Sequence, residues 1–145
     1  MNIHSHQSAA DTLQFGVHLM IDGYVADGAP MTDSAALRDI LDRLPAEIGM
    51  HPICDPVVVQ VGPNCAKDPG GLSGFVMIAE SHISFHTFPE RGFVTIDLYT
   101  CQNDLDTDAV LTRLKQAFRI KDADVYVQNR GVRYPAQSVV TGLPA

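Results

Sequence analysis

Three unpaired-looking cysteines, no tryptophan and no long apolar run mark this 145-residue chain by what they exclude. Cys54, Cys65 and Cys101 are odd in number and irregularly spaced, so neither a disulfide framework nor a paired-cysteine zinc pattern fits. The plain reading of any one of them is a small buried hydrophobe. No apolar stretch approaches the ~20 residues of a membrane span. The polar N-terminus does not read as a signal peptide. Basic residues are also scarce: ten Lys and Arg face seventeen Asp and Glu, for a formal net charge of −7. Phosphate binding needs clustered Lys and Arg, and these ten are scattered, so neither nucleic acid nor membrane is an expected partner. What remains is about one domain, with cytoplasmic residence as the default.

The pattern along the chain alternates strands and helices. Residues 1–12 read as a polar tail, 13–130 as a single domain and 131–145 as a Gly/Pro-containing tail. Phe15 to Asp22 reads as a strand. Ser34 can cap a helix in which Leu37, Ile40, Leu41 and Leu44 follow i, i+3, i+4, i+7, with Pro45 as its stop. Pro56 to Val61 is a β-branched strand, and a Gly/Pro/Asn loop runs from Gly62 to Gly71. Phe75 to Ala79 and Phe93 to Thr100 read as strands on either side of a polar cluster. Thr107 can cap a second helix with Val110, Leu111, Leu114 and Phe118 on one face, and Val125 to Gln128 is a last strand.

A weak repeat runs through this order. Ile21-Asp22-Gly23-Tyr24-Val25-Ala26 resembles Ile96-Asp97-Leu98-Tyr99-Thr100-Cys101, and each is followed by an acidic loop, an amphipathic helix and a strand ending in Gln60 or Gln128. One strand–helix–strand unit used twice predicts an α+β two-layer sandwich, an antiparallel sheet with two helices on one face. The first copy has Ala26 where the second has Cys101. The scaffold does not require a thiol there, which makes Cys101 the cysteine to watch.

The polar cluster is Glu80-Ser81-His82-Ile83-Ser84-Phe85-His86-Thr87-Phe88-Pro89-Glu90. It follows an apolar run, so it is expected where a core strand ends. Taken as bare chemistry, it leaves several readings open. One is a Cys101 nucleophile with His86 as base. Another is a metal held by His82 and His86 with His4 and His6, although an i, i+4 pair ligates only on a helix and Pro89 argues against one. The last is a set of capping and turn residues in a small-molecule-binding module.

The same cluster, followed by Asp97-Leu98-Tyr99-Thr100-Cys101, resembles the signature of the prokaryotic S-adenosylmethionine decarboxylases, and the similarity runs from about Phe15 to Gly131. The resemblance implies a self-processing enzyme of polyamine biosynthesis whose cofactor is a pyruvoyl group made from its own backbone, with no metal. Ser81 would attack the Glu80 carbonyl, and the chain would be cut between 80 and 81, leaving the pyruvoyl group at position 81. The substrate would form a Schiff base with that group. The resemblance also implies that His86 and Ser73 assist processing, that Cys101 donates the proton after decarboxylation and that Glu90 holds the ribose hydroxyls. Family members are homodimers with each active site at the protomer boundary, so a homodimer of processed protomers is expected.

The resemblance implies S-adenosylmethionine as first choice of substrate, but the chain departs from the family in three places. Lys67 stands where the family stacks adenine on an aromatic ring, Phe88 where Trp is usual, and Arg91 where Tyr or Phe is common. Related decarboxylases act on L-ornithine or L-arginine, and those remain the alternative.

Overall fold

A computed structural model describes residues 12–138 and 141–143 of the chain. In chain order the elements are β1 (Thr12–Leu13), β2 (Gly16–Tyr24), α1 (Ser34–Glu47), β3 (Val57–Val61), β4 (Gly71–Ile78), β5 (Ser81–Phe88), β6 (Phe93–Thr100), α2 (Thr107–Phe118), β7 (Asp122–Arg130) and β8 (Tyr134–Pro135). Six strands form one antiparallel sheet in the order β3-β4-β5-β6-β2-β7. Both helices cover the same face. Leu37, Leu41 and Leu44 of α1 and Val110, Leu114 and Phe118 of α2 join Leu19, Ile21, Val76, Ile83, Phe85 and Ile96 in one core. This is the two-layer α+β sandwich expected from the pattern. The repeat has a structural counterpart too, because Ile21 stands directly opposite Ile96. The β4–β5 hairpin separates β3 from β6, whereas β7 pairs directly with β2.

Several boundaries differ from expectation, each for a local reason. The side chains of Asp33 and Asp106 cap the two helices by accepting from Ala36 and Ala109 N–H, so Ser34 and Thr107 lie just inside. Pro45 does not stop α1, which runs to Glu47. Its ring is buried in the core, and its carbonyl accepts from Ile48 and Met50 N–H at the helix end. Strand β4 starts at Gly71, four residues before Phe75, because Gly71 and Gly74 admit close neighbours. A Cβ on Gly71 would lie 1.9 Å from the Thr87 carbonyl oxygen, and one on Gly74 would lie 2.3 Å from the Phe85 ring. The polar cluster is itself strand β5 rather than a strand end. The stretch expected as a C-terminal tail folds back, with Leu13 paired to Tyr134 and the Phe15 and Tyr134 rings 5.0 Å apart.

Alternation along the strands gives the sheet a second face, which no layer of the described residues covers. Ser73, His82, Ser84, His86, Asp97, Tyr99 and His18 lie on it. Toward the β3 edge it is apolar: Val57, Val59, Val61, Phe75 and Met77 are all exposed. Among the described residues no helix is long and apolar enough to cross a membrane.

Candidate active site

Ala79 and Glu80 form the two-residue turn of the β4–β5 hairpin, so the Glu80–Ser81 bond sits at one end of the sheet. Ser81 has φ +150°, a conformation that L-residues adopt at a cost of about 1–3 kcal/mol. It pairs with Ile78 on one side and Thr100 on the other. That register brings Cys101 alongside Glu80, and Cys101 N–H donates to the Glu80 carbonyl oxygen at 3.0 Å. The Cys101 thiol is free and its residue exposed. Across the next strand is Gly16, whose missing side chain lets the backbone of β6 close in. A Cβ there would lie 2.1 Å from the Thr100 carbonyl oxygen.

The Glu80 side chain is buried at 8% exposure and ends on one residue. His51 N–H donates to Oε2 at 3.1 Å, and His51 Nδ1 lies 2.6 Å from Oε1. Burial opposes ionisation of this carboxyl, but the bonds from the His51 ring and backbone outweigh it and hold the pKa below the ordinary glutamate value. Nothing in the sequence pointed to His51, which follows α1 in an irregular segment.

Ser73 and His86 form a second cluster. They are directly opposed on β4 and β5, with Ser73 Oγ 2.8 Å from His86 Nδ1, on the open face. Ser73 is therefore a strand residue, two positions into β4. His86 lies five residues along β5 from Ser81, about 17 Å at the strand rise of ~3.4 Å per residue. The structure thus brings Ser81, Glu80 and Cys101 together at one place and Ser73 and His86 at another. A Cys101–His86 dyad within one chain is ruled out: His86 pairs with Thr95, six residues from Cys101, about 20 Å away. His82 and His86, four residues apart on one strand, are about 14 Å from each other and cannot share an ion. His4 and His6 lie outside the described residues.

Between the two clusters the open face carries a third polar group. His18 Nε2 meets Asp97 Oδ1 at 2.8 Å, and the Arg130 guanidinium lies 4.7 Å over the Tyr99 ring. Burial, with the neighbouring His18 and Arg130, pushes the His82 pKa down against the pull of Asp97.

The remaining candidates line two cavities. Glu90 is exposed at the rim of one of about 560 Å³, with Asp27, Thr32, Gln60 and Pro89. Lys67 lines another of about 330 Å³, with Phe88, Arg91, Phe93 and Thr95, where the Phe88 and Phe93 rings stack at 5.7 Å.

Comparison with known proteins bears on this geometry. The family model described as S-adenosylmethionine decarboxylase matches residues 17–131. The S-adenosylmethionine decarboxylase proenzyme of Pyrobaculum aerophilum is 32% identical over 117 residues, 81% of this chain and 89% of that protein. That of Pyrococcus furiosus is 31% identical over 117 residues, covering 81% and 79%. The crystal structure of the adenosylmethionine decarboxylase from Aquifex aeolicus matches with a TM-score of 0.68 at 26% identity, over 92% of this chain and 98% of that one. With the match spanning every element from β2 to β7 and the whole Glu80–Cys101 region, this chain belongs to the S-adenosylmethionine decarboxylase family, a family of pyruvoyl-dependent decarboxylases.

Proposed function

We propose that the chain is a self-processing S-adenosylmethionine decarboxylase that makes its pyruvoyl group from Ser81. The observation that carries this is the strained Ser81 backbone beside a Glu80 carbonyl already held by a backbone N–H. Attack of Ser81 Oγ on that carbonyl carbon breaks the peptide C–N bond and leaves an ester with a free amine on Ser81. The Cys101 N–H, at 3.0 Å, is placed to hold the oxyanion that forms on the way. Loss of the Ser81 α-proton expels the Glu80 carboxylate, and hydrolysis of the dehydroalanine releases ammonia. The products are residues 1–80 and residues 81–145, the latter beginning with the pyruvoyl group. Bound at position 81, that group supplies the electron sink for loss of carbon dioxide. Cys101, an exposed residue with a free thiol whose backbone lies against Glu80, donates the proton to the carbon that lost the carboxyl group.

The helper pair Ser73 and His86 acts from a second copy of the chain. Within one chain the pair is about 17 Å from Ser81 along β5, too far for proton transfer. Two sheets stacked through their open faces would cover the exposed Val57, Val59, Val61, Phe75 and Met77 and bring one copy's His86 toward the other's Ser81. A homodimer of processed protomers follows from this reading.

For the substrate, the relatives' names and the cavity at Lys67 favour S-adenosylmethionine. Phe88 and Phe93 offer aromatic surface there for a flat adenine ring, which ornithine and arginine lack. The carboxylates of Asp27 and Glu90 at the other cavity favour a second reading, in which the distal cation of L-ornithine or L-arginine binds. Carbon dioxide release measured in parallel with the three compounds separates them. Release from S-adenosylmethionine alone is expected, and release from ornithine or arginine alone overturns the substrate choice.

A further inference from the structure

We propose that His51 is a positioning residue for the cut between Glu80 and Ser81, acting through the Glu80 side chain. The proposal rests on the self-processing reading above. His51 grips both residues before the scissile bond. Its carbonyl accepts from Ala79 N–H at 2.8 Å, its N–H donates to the Glu80 carboxylate, and its ring nitrogen closes a 2.6 Å bond to the other carboxylate oxygen. On the far side, Cys101 N–H holds the Glu80 carbonyl at 3.0 Å. The reacting carbonyl therefore belongs to a residue pinned at both ends, by its side chain and by its own oxygen. The attacking Ser81 is held at φ +150° on the next residue. An attack across a single residue succeeds only when that carbonyl cannot swing away, and misplacement by an ångström costs on the order of 100-fold.

The His51 ring is not needed to hold its own segment in place. Ile53 N–H donates to the Met77 carbonyl at 3.0 Å, Pro52 bridges to Ile78, and Met77 N–H donates to Cys54 Sγ at 3.3 Å. These contacts survive loss of the imidazole. The ring itself is largely exposed, and among the described residues its one polar contact is the buried Glu80 carboxylate. Spending a charge-assisted bond on the acid beside the scissile carbonyl is the feature that needs a function.

The test follows full-length chain made by timed cell-free translation, with the cut scored by denaturing gel and intact mass. His51→Ala is expected to cut about tenfold more slowly than wild type, the scale of losing one oriented charge-assisted hydrogen bond. Hydroxylamine, which cleaves an accumulated ester, is expected not to restore its rate, because the slowed step is ester formation. His51→Asn, which returns an amide N–H near the position of Nδ1, is expected to recover most of the rate. Melting of Ser81→Ala with and without His51→Ala reports whether the fold is kept, and a still cooperative transition lowered by a few degrees is expected, the scale of losing one bond to the Glu80 carboxylate. A His51→Ala chain that cuts at the wild-type rate overturns the proposal. So does a slow one that His51→Asn does not rescue or that hydroxylamine does. A wild type that never cuts overturns the self-processing reading itself, and this proposal with it.

Discussion

Gly16→Ala is the substitution whose effect follows most directly from the packing around the candidate scissile bond. The added Cβ would lie 2.1 Å from the Thr100 carbonyl oxygen and 3.0 Å from Cys101 Cα. Both are backbone atoms, so no side chain can rotate out of the way. Relief requires the ends of β2 and β6 to part by about 1 Å, an overpacking that costs typically 1–3 kcal/mol. For a chain of this length that lowers the melting temperature by roughly 2–12 °C. The larger effect is expected on processing. Moving Thr100 and Cys101 by that distance takes the Cys101 N–H out of reach of the Glu80 oxygen, now 3.0 Å away. Loss of one oxyanion donor slows reactions of this class by about 100- to 1,000-fold. The rate of appearance of the two fragments after timed translation reads this out, with melting of the Ser81→Ala form as the stability measure. Gly62→Ala is the control, since a Cβ there meets nothing within 4 Å. A Gly16→Ala chain that is cut at the wild-type rate and melts unchanged would refute the argument that the β2–β6 contact sets the position of Cys101.

Other expectations follow from the same geometry. Mixing Ser81→Ala chains with His86→Ala chains should yield cut His86→Ala chains if helper residues act across a dimer, seen by intact mass; none appear if His86 works within its own chain. Phe75→Glu, on the exposed apolar side of the open face, should shift the protein to monomer in size-exclusion chromatography and slow cutting in step. Cys101→Ala should cut within a few-fold of the wild-type rate, because its backbone N–H remains, while carbon dioxide turnover or protonation of product suffers. The Glu80 carboxyl has a lowered pKa in the fold, so its contribution is present above its unfolded value and is lost as pH falls through the folded one. Ser81→Ala should therefore lose more unfolding free energy between pH 6 and pH 3 than Ser81→Ala/Glu80→Gln, by urea titration.

The helices and the layer order were legible because an apolar stripe repeats on a helical period and survives any detail of capping. Leu37, Leu41 and Leu44 announced α1 even though Asp33, not Ser34, holds its first turn. Pro45 misled because the rule against proline counts a lost bond and a clash, while this ring sits in the last turn and is packed in the core. The β5 strand was harder to read. Ile83, Phe85 and Thr87 do alternate with His82, Ser84 and His86, but dense polar residues read as a strand end when nothing in one chain shows that a second face will be needed. Gly71 read as the end of a loop for a similar reason: the Thr87 carbonyl that demands a glycine there is distant in sequence. Ser73, Ser81, His86 and Cys101 were identified by the order of a long motif, and no periodicity carries that information. His51 was invisible because its role depends on a contact 29 residues away that has no local pattern.

The measurement that bears most directly on the central claim is the intact mass of the purified wild-type chain together with the chemistry of its fragment ends. Two fragments are predicted, residues 1–80 ending in Glu80 and residues 81–145 carrying a carbonyl and no free α-amine. A single chain of 145 residues after prolonged incubation, or a second fragment that begins with an intact serine, would contradict the account.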